Sequence, residues 1–507
     1  MKNTVLLWMF WFSELKFVGR SYYVCPYKDF KDIYKLDKEI SCQIKSLNDG
    51  LKQKVSPQKS FEIKLAGSIA EGGFSARFFK PEKRETLEAD VEVILLQIGK
   101  SHKYCVEERR EKPGFVRIKM SGNCRNLTNR NRKINHRLED ISKLNLSTDG
   151  YAKTVNLKET WLYRRFNFSH QRLKRSNRGV RRILAFLLNI PTSQISASNP
   201  YRNISKAVCE SSWDVEIWKH KLTLSADWSA IIQVDWKPNS LLEWEKQKRN
   251  WPSNVTRLSS LDESFIIAKP SSAERDNVDT TEFRYSFGHV ERKLVSLQTP
   301  TQRIVYLIFK SIFYKHIVPL DSERISSYLA KSVMLSTCES IPSSNETFWS
   351  SKDRDIRRAV LYLLNTLQEG CREGFLSYLF IPDINILENF KRELLDNMVN
   401  KIEYLKSNFD EILLETARER KKLIWILEKG RHAIAHADDK MSVALSSDIN
   451  KTLKVENKFV SYRRIFKVAW LMLFRNFNQE ASNQLKKPLD ELIHCEHFND
   501  QPSGKFE

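Results

Sequence analysis

Gly67-Ser68-Ile69-Ala70-Glu71-Gly72, then a loop, then Glu88-Ala89-Asp90-Val91 at the head of an apolar run to Leu96, is the stretch that decides the fold. Residues i and i+2 of a strand lie on one face, so Glu88 and Asp90 can share a pair of divalent cations. Gly67 lets the backbone approach a phosphate, and Ser68 can donate to its oxygens. This is the layout of a nucleotide-transfer site. Two-metal phosphoryl transfer needs a third carboxylate from a neighbouring strand. Asp235 is the best candidate, since it ends the β-branched run Ile231-Ile232-Gln233-Val234. Asp227 is a weaker rival, and Glu92, on the same face as Glu88 and Asp90, is a reserve ligand.

Outward from this stretch the chain is long and basic. Its 507 residues give room for two domains or one large bilobed unit, and 41% hydrophobic content supports a core. A net charge of +22 points to an acidic partner. Nucleic acid is favoured over membrane, because no segment approaches about 20 consecutive apolar residues. Between 101 and 182 there are 22 Lys/Arg against 7 Asp/Glu. Such a local excess calls for a polyanion, held mainly through phosphates. Arg130, Arg132, Lys133, Arg164, Arg165, Arg172, Lys174, Arg175, Arg178, Arg181 and Arg182 are the candidate contacts, with Phe166 and Phe168 interleaved.

The eight cysteines are scattered and none form CxxC, which reads as a reduced, cytoplasmic chain. His494-Cys495 and His497 lack further ligands nearby for a metal. The apolar run Val5 to Phe12 lacks a small-residue cleavage site and reads as the first turns of a helix.

The coarse pattern is a helix from about 26 to 55, then mixed α/β, then all-α from about 300. Phe61 to Leu65 and Glu88 to Leu96 read as strands. Leu222 to Leu224 and Ala230 to Asp235 read as a strand pair. Helical periodicity covers Ile304 to Ile317, Arg357 to Leu367, Ile384 to Leu405, Phe409 to Leu427 and Tyr462 to Phe477. Ser336 to Ser351 reads as a linker.

Several separated segments resemble one family, the cyclic GMP-AMP synthase-like receptors within the male abnormal 21 (Mab-21) nucleotidyltransferases. They are the two segments quoted first, then Val234-Asp235 with Trp251-Pro252, Arg284-Tyr285-Ser286-Phe287-Gly288-His289-Val290-Glu291, Lys310, Ser326-Ser327-Tyr328, and Tyr378 to Pro382. The resemblance spans roughly 20 to 408, in family order. It implies an α+β, bilobed nucleotidyltransferase: a mixed β-sheet lobe with a long spine helix, plus a C-terminal all-α lobe. The expected boundaries are 1–56 for the spine region, 57–265 for the nucleotidyltransferase core with its basic face, 266–408 for the helical Mab-21-like lobe, and 409–507 for a helical extension.

By position, the resemblance makes Glu88, Asp90 and Asp235 ligands for two Mg²⁺ or Mn²⁺ ions. Ser68 with Gly67, Lys310 and Ser327 match triphosphate contacts, Tyr328 a base-stacking ring, and Arg284 and Glu291 base-side residues. The implied activity joins two nucleoside triphosphates, ATP with GTP or UTP, into a cyclic dinucleotide second messenger of innate immunity. The absence of a His/Cys cluster between Glu291 and Lys310 removes a zinc thumb, and favours double-stranded RNA over DNA as activator. The alternatives are a DNA-activated synthase, an inactive Mab-21-like binding protein and a template-free polymerase. The loop from Ser68 to Glu88, with Arg77, Lys80, Lys83 and Arg84, reads as an insertion with some lid character. Arg431 to His436 has a ribonuclease-like spacing, but a docking or oligomerisation element is the favoured reading of the tail.

Overall fold

A computed structural model describes residues 26–35, 38, 62–67, 71, 77–79, 84–124, 146–153, 195–197, 201–204, 208–217, 220–247, 249, 251–252, 264–268, 281–322 and 324–420. Within them the protein is α+β: a mixed sheet followed by packed helices. The backbone of the sheet comprises β1 (Glu62–Ala66), β2 (Arg77–Phe79), β3 (Arg84–Ile98), β4 (Val106–Glu108), β5 (Phe115–Ile118), β6 (Ile195–Ala197), β7 (Tyr201–Ile204), β8 (Val208–Ile217), β9 (His220–Val234), β10 (Ser264–Ile267) and β11 (Glu282–Ser286). Its main path runs β1-β3-β9-β10-β11-β5-β4, with β2 on β3, β8 on β9, and β6 and β7 on β8.

β9 is the organising strand. It pairs parallel with β3 and antiparallel with β8 and β10. Ile231, Ile232, Gln233 and Val234 are all buried, so both faces of its C-terminal half are covered. The segments expected as two paired strands, Leu222 to Leu224 and Ala230 to Asp235, are therefore parts of one strand. Both partners lie alongside it, not within it. Part of the loop expected between Ser68 and Glu88 is likewise sheet, since β2 pairs with the start of β3 through Arg77–Thr86, Phe78–Glu85 and Phe79–Arg84.

Among the described residues the helices delimited at both ends are α1 (Asn239–Lys246), α2 (Gly288–Ser296), α3 (Pro300–His316), α4 (Ser327–Ser340), α5 (Asp353–Glu373) and α6 (Arg392–Ser407), and residues 26–35 and 409–420 are helical as well. α3 is buried along its whole length from Gln302 to Lys315, as the axis of a bundle must be. Its start is fixed chemically. Thr299 and Gln302 exchange side-chain-to-backbone hydrogen bonds in a capping box, and Pro300 sits where no N–H is needed. α4 and α5 pack on α3, and α6 packs on α5. α5 extends beyond the expected Arg357 to Leu367 and stops at Gly374, whose φ of 70° suits the left-handed cap. The helix expected from Ile384 starts only at Arg392. Ile384 belongs to β13 (Ile381–Asn385), paired with β12 (Ser377–Tyr378). Pro382 lacks the N–H a continuing helix would need, and the Asn385 side chain bonds Leu376 N, Leu387 N and Gly374 O instead. The expected linker from Ser336 is still α4 as far as Ser340.

Most buried residues of sheet and helices form one core, from Phe30 through Ile98 and Phe283 to Ala417, with Ile231 and Phe265 in a small second cluster. The boundary expected between 265 and 266 falls inside β10, and β11 continues the same sheet. Among the described residues no helix is long and apolar enough to cross a membrane. The expectation of a fully reduced chain fails at one pair: Cys105 and Cys124 are disulfide-bonded, with Cα atoms 5.8 Å apart. The short helical turn Lys100–Cys105 and the turn after β5 bring them together, a proximity the irregular spacing conceals. The inference of a reducing compartment loses that support. The bond spans 19 residues and both sulfurs are buried. Cys105→Ala with Cys124→Ala is expected to lower stability by about 3 kcal/mol, read as a shift in the denaturant midpoint that reducing agent reproduces in the wild type.

Candidate functional site

The backbone of three strands brings the residue before Gly67 and two acidic positions to one rung of the sheet. β1 ends at Ala66, paired opposite Asp90 on β3, and Asp90 is paired opposite Asp227 on β9. Gly67 follows at once, with a φ of 61° that a side chain would disfavour. Glu88 lies opposite Ser225 on the same two strands, and Glu92 lies between Lys64 and Ser229. Positions 88, 90, 225 and 227 thus share one face by strand alternation.

Asp235 is not part of this rung. Its N–H donates to the Ile98 carbonyl at 3.1 Å, at the far end of the β3–β9 pair, and its side chain is exposed. At about 3.3 Å per residue the rise from 227 to 235 is about 25 Å. By register the acidic position opposite Asp90 is Asp227, and Asp235 lies beyond the end of the strand pair. The cause is the single long strand: a register fixed over its whole length sets Asp227, not its last residue, beside Asp90. Among the residues whose side chains are described, no group of three His, Cys, Asp or Glu gathers to hold a metal; those of Glu88, Asp90 and Asp227 are not among them.

On the helical side the structure brings Glu71, Glu291, Tyr328 and Lys331 together. Lys331 Nζ lies 2.9 Å from Glu71 Oε1 and 2.6 Å from Glu291 Oε2. The Tyr328 hydroxyl donates to Glu291 Oε1 at 2.9 Å. Arg303 donates to the Glu71 carbonyl at 2.7 Å. Glu71 and Glu291 side chains are each 5% exposed, so the ammonium is what makes their burial tolerable. Burial pushes the Glu71 carboxyl up, but Lys331, with Lys310 and Arg303, more than reverses this and holds it below the usual range. Burial pulls Lys331 down, and Glu291 and Glu71 outweigh it to leave the ammonium well above the usual range. Burial, then Glu291, pushes the Tyr328 hydroxyl well up, so it stays a donor.

The sign of the pH dependence follows from these directions. The lowered Glu71 contributes stability that is lost as pH falls through its folded value. The raised Lys331 contributes stability that is lost as pH rises through its own. The stability gap between wild type and Glu71→Gln is thus expected to be constant from about pH 5 to about pH 9 and to narrow below about pH 4, as denaturant midpoints across that range would show.

The remaining expected residues are placed as follows. Lys310 is turned inward on α3, 2% exposed, with its ammonium 5.6 Å from the Tyr306 ring centre and 5.7 Å from that of Tyr314. Its charge bears on Glu71. Ser327 opens α4, one residue before Tyr328. Arg284 is half-buried on β11, close enough for its charge to act on the Tyr328 and Tyr378 hydroxyls. The Tyr378 ring backs Tyr328 at 6.0 Å. Ser68 lies outside the described residues, as do Arg130, Arg132, Lys133, Arg164, Arg165, Arg172, Lys174, Arg175, Arg178, Arg181 and Arg182. The tail beyond 420, with its His/Cys and Arg431 to His436 segments, does too.

Reading the sequence alone missed Lys331 and the pairing role of Glu71. A signal was present: Lys331 stands four residues beyond Ser327 and three beyond Tyr328, on one helical face. None of the curated proteins matches the chain. Residues 302–404, which span α3 to most of α6 and include Lys310, Ser327, Tyr328 and Lys331, match the family model for the Mab-21 protein HhH/H2TH-like domain. That match supports a place for the chain in the Mab-21 family and, at the coarsest level, a nucleotidyltransferase-like function.

Proposed function

We propose that the protein is a nucleic-acid-activated synthase of a cyclic dinucleotide, with Glu88, Asp90 and Asp227 as its cation-binding carboxylates. The observation that carries this reading is the rung Ala66–Asp90–Asp227, with Gly67 at its end. An all-carboxylate donor set suits a hard divalent cation such as Mg²⁺ or Mn²⁺. When bound, such an ion neutralises triphosphate charge and lowers the pKa of the attacking ribose hydroxyl.

The chain's own groups do the rest. Gly67, at a φ of 61°, lets the backbone approach the phosphates. Lys310 supplies a fixed positive charge on the helical side, and Ser327 a hydroxyl at the start of α4. Tyr328 offers a ring to a base, with Glu291 and Arg284 beside it to select its edge. Two successive transfers close the ring and release two pyrophosphates. The charge excess of 101 to 182 supports a polyanionic activator, double-stranded RNA first.

The test is mass analysis of the products from all four nucleoside triphosphates with Mg²⁺ or Mn²⁺, run with duplex RNA, duplex DNA and no nucleic acid. A cyclic dinucleotide formed only with duplex RNA is expected. Extended RNA ends would instead mark a template-free polymerase, and no product under any condition would mark a binding protein.

A further inference from the structure

Lys331 stands where the two halves of the nucleotide site meet. One carboxylate it holds, Glu71, stands four residues beyond Gly67, just past the end of β1. The other, Glu291, comes from α2. Lys331 itself is on α4, with Ser327 and Tyr328. Its position gives each oxygen of Glu291 a single task. Oε2 faces the ammonium, which leaves Oε1 to accept from the Tyr328 hydroxyl at 2.9 Å. The ammonium also lies 5.7 Å from the centre of the Tyr328 ring. Arg303 on α3 secures the backbone of Glu71. A displacement of Glu71 must therefore move or unpair Lys331, and with it Glu291 and the plane of Tyr328. Networks of buried charges move as a unit, since leaving one member unpaired costs more than displacing all of them.

We infer that Lys331 is a positioning residue that couples the phosphate loop to the base-facing ring through Glu71 and Glu291. This rests on the nucleotide site proposed above. Its consequence is that triphosphate seated on the loop sharpens discrimination among bases at Tyr328. Glu71 then influences base choice from the loop side, through Lys331.

The test uses the full chain. Steady-state kinetics and equilibrium binding of each of the four nucleoside triphosphates are compared for wild type, Lys331→Met, Glu71→Gln and Lys331→Arg. Lys331→Met and Glu71→Gln are each expected to raise KM by about fivefold with little change in kcat. Both are expected to flatten the order of preference among the four bases, and Lys331→Arg to restore it in part. Lys331→Met leaves two buried carboxylates and can fail to fold. Glu71→Gln is isosteric, keeps an acceptor for Lys331, and decides the matter alone. If Glu71→Gln lowers the melting temperature but keeps the wild-type order of base preference, the network is only structural and the inference is overturned. A wild type that binds none of the four overturns the nucleotide site itself, and this inference with it.

Discussion

Asp90→Asn and Asp227→Asn each reduce nucleotidyl transfer by at least about 10²- to 10³-fold, while Asp235→Asn stays within about twofold of wild type, as a surface change away from the chemistry should. The expectation is asymmetric because the register is. Asp227 pairs opposite Asp90, whereas Asp235 is exposed beyond the end of β9. Exchange of carboxylate for amide keeps the volume and removes the charge that a divalent ion requires. Denaturant midpoints and duplex-RNA affinity should not change, which separates lost chemistry from lost folding. The measurement is product formed per unit time with saturating nucleoside triphosphates. Activity retained in Asp227→Asn and lost in Asp235→Asn would reverse the assignment.

The second large effect is on stability. Phe380 is 1% exposed and stacks on Phe287 at 4.8 Å. It meets the edge of Trp244 at 5.0 Å and Tyr378 at 5.6 Å. Arg249 covers Trp244, its guanidinium 3.6 Å from the ring centre. Phe380 therefore joins α1, the corner between β11 and α2, and the β12–β13 hairpin. Phe380→Ala removes a ring that has contacts on three sides and leaves a cavity, at a cost of about 3–5 kcal/mol. Phe380→Leu recovers most of this. Tyr378, whose ring backs Tyr328, loses its support in the alanine variant. An unfolding midpoint for Phe380→Ala equal to wild type would show that the cluster relaxes to fill the space.

Strand and helix types were legible where local pattern decides them. The apolar run after Glu88 and the periodicity of Ile304 to Ile317 each lie within a real element, β3 and α3. The Glu88–Asp90 spacing needed only strand alternation. The run Ile231 to Val234 reads locally as a strand of its own ending at Asp235, whereas it is the last part of the long strand β9, in which Asp227 lies nearer the middle. Only the pairing of β3 with β9 along most of their length shows which acid stands opposite Asp90, and register is a non-local property. The Cys105–Cys124 bond and the bridge from Lys331 to Glu71 were hidden for the same reason. Each joins residues that chain contiguity keeps apart, and neither spacing nor hydropathy records the fold that brings them together.

The parallel pairing of β3 with β9 also sets an order of assembly. Parallel neighbours cannot be joined by a tight turn, and here everything from Gly99 to Lys219 lies between them. Closing so long a loop costs entropy before any contact repays it, which makes this pairing a late event in folding. On the ribosome, Asp90 is made long before its partner strand exists. A nascent or prematurely ended chain that stops short of His220 therefore carries Glu88 and Asp90 but lacks Asp227. The rung Ala66–Asp90–Asp227 thus forms only in chains whose β9 has been made and docked, so that its presence reports the completion of the sheet.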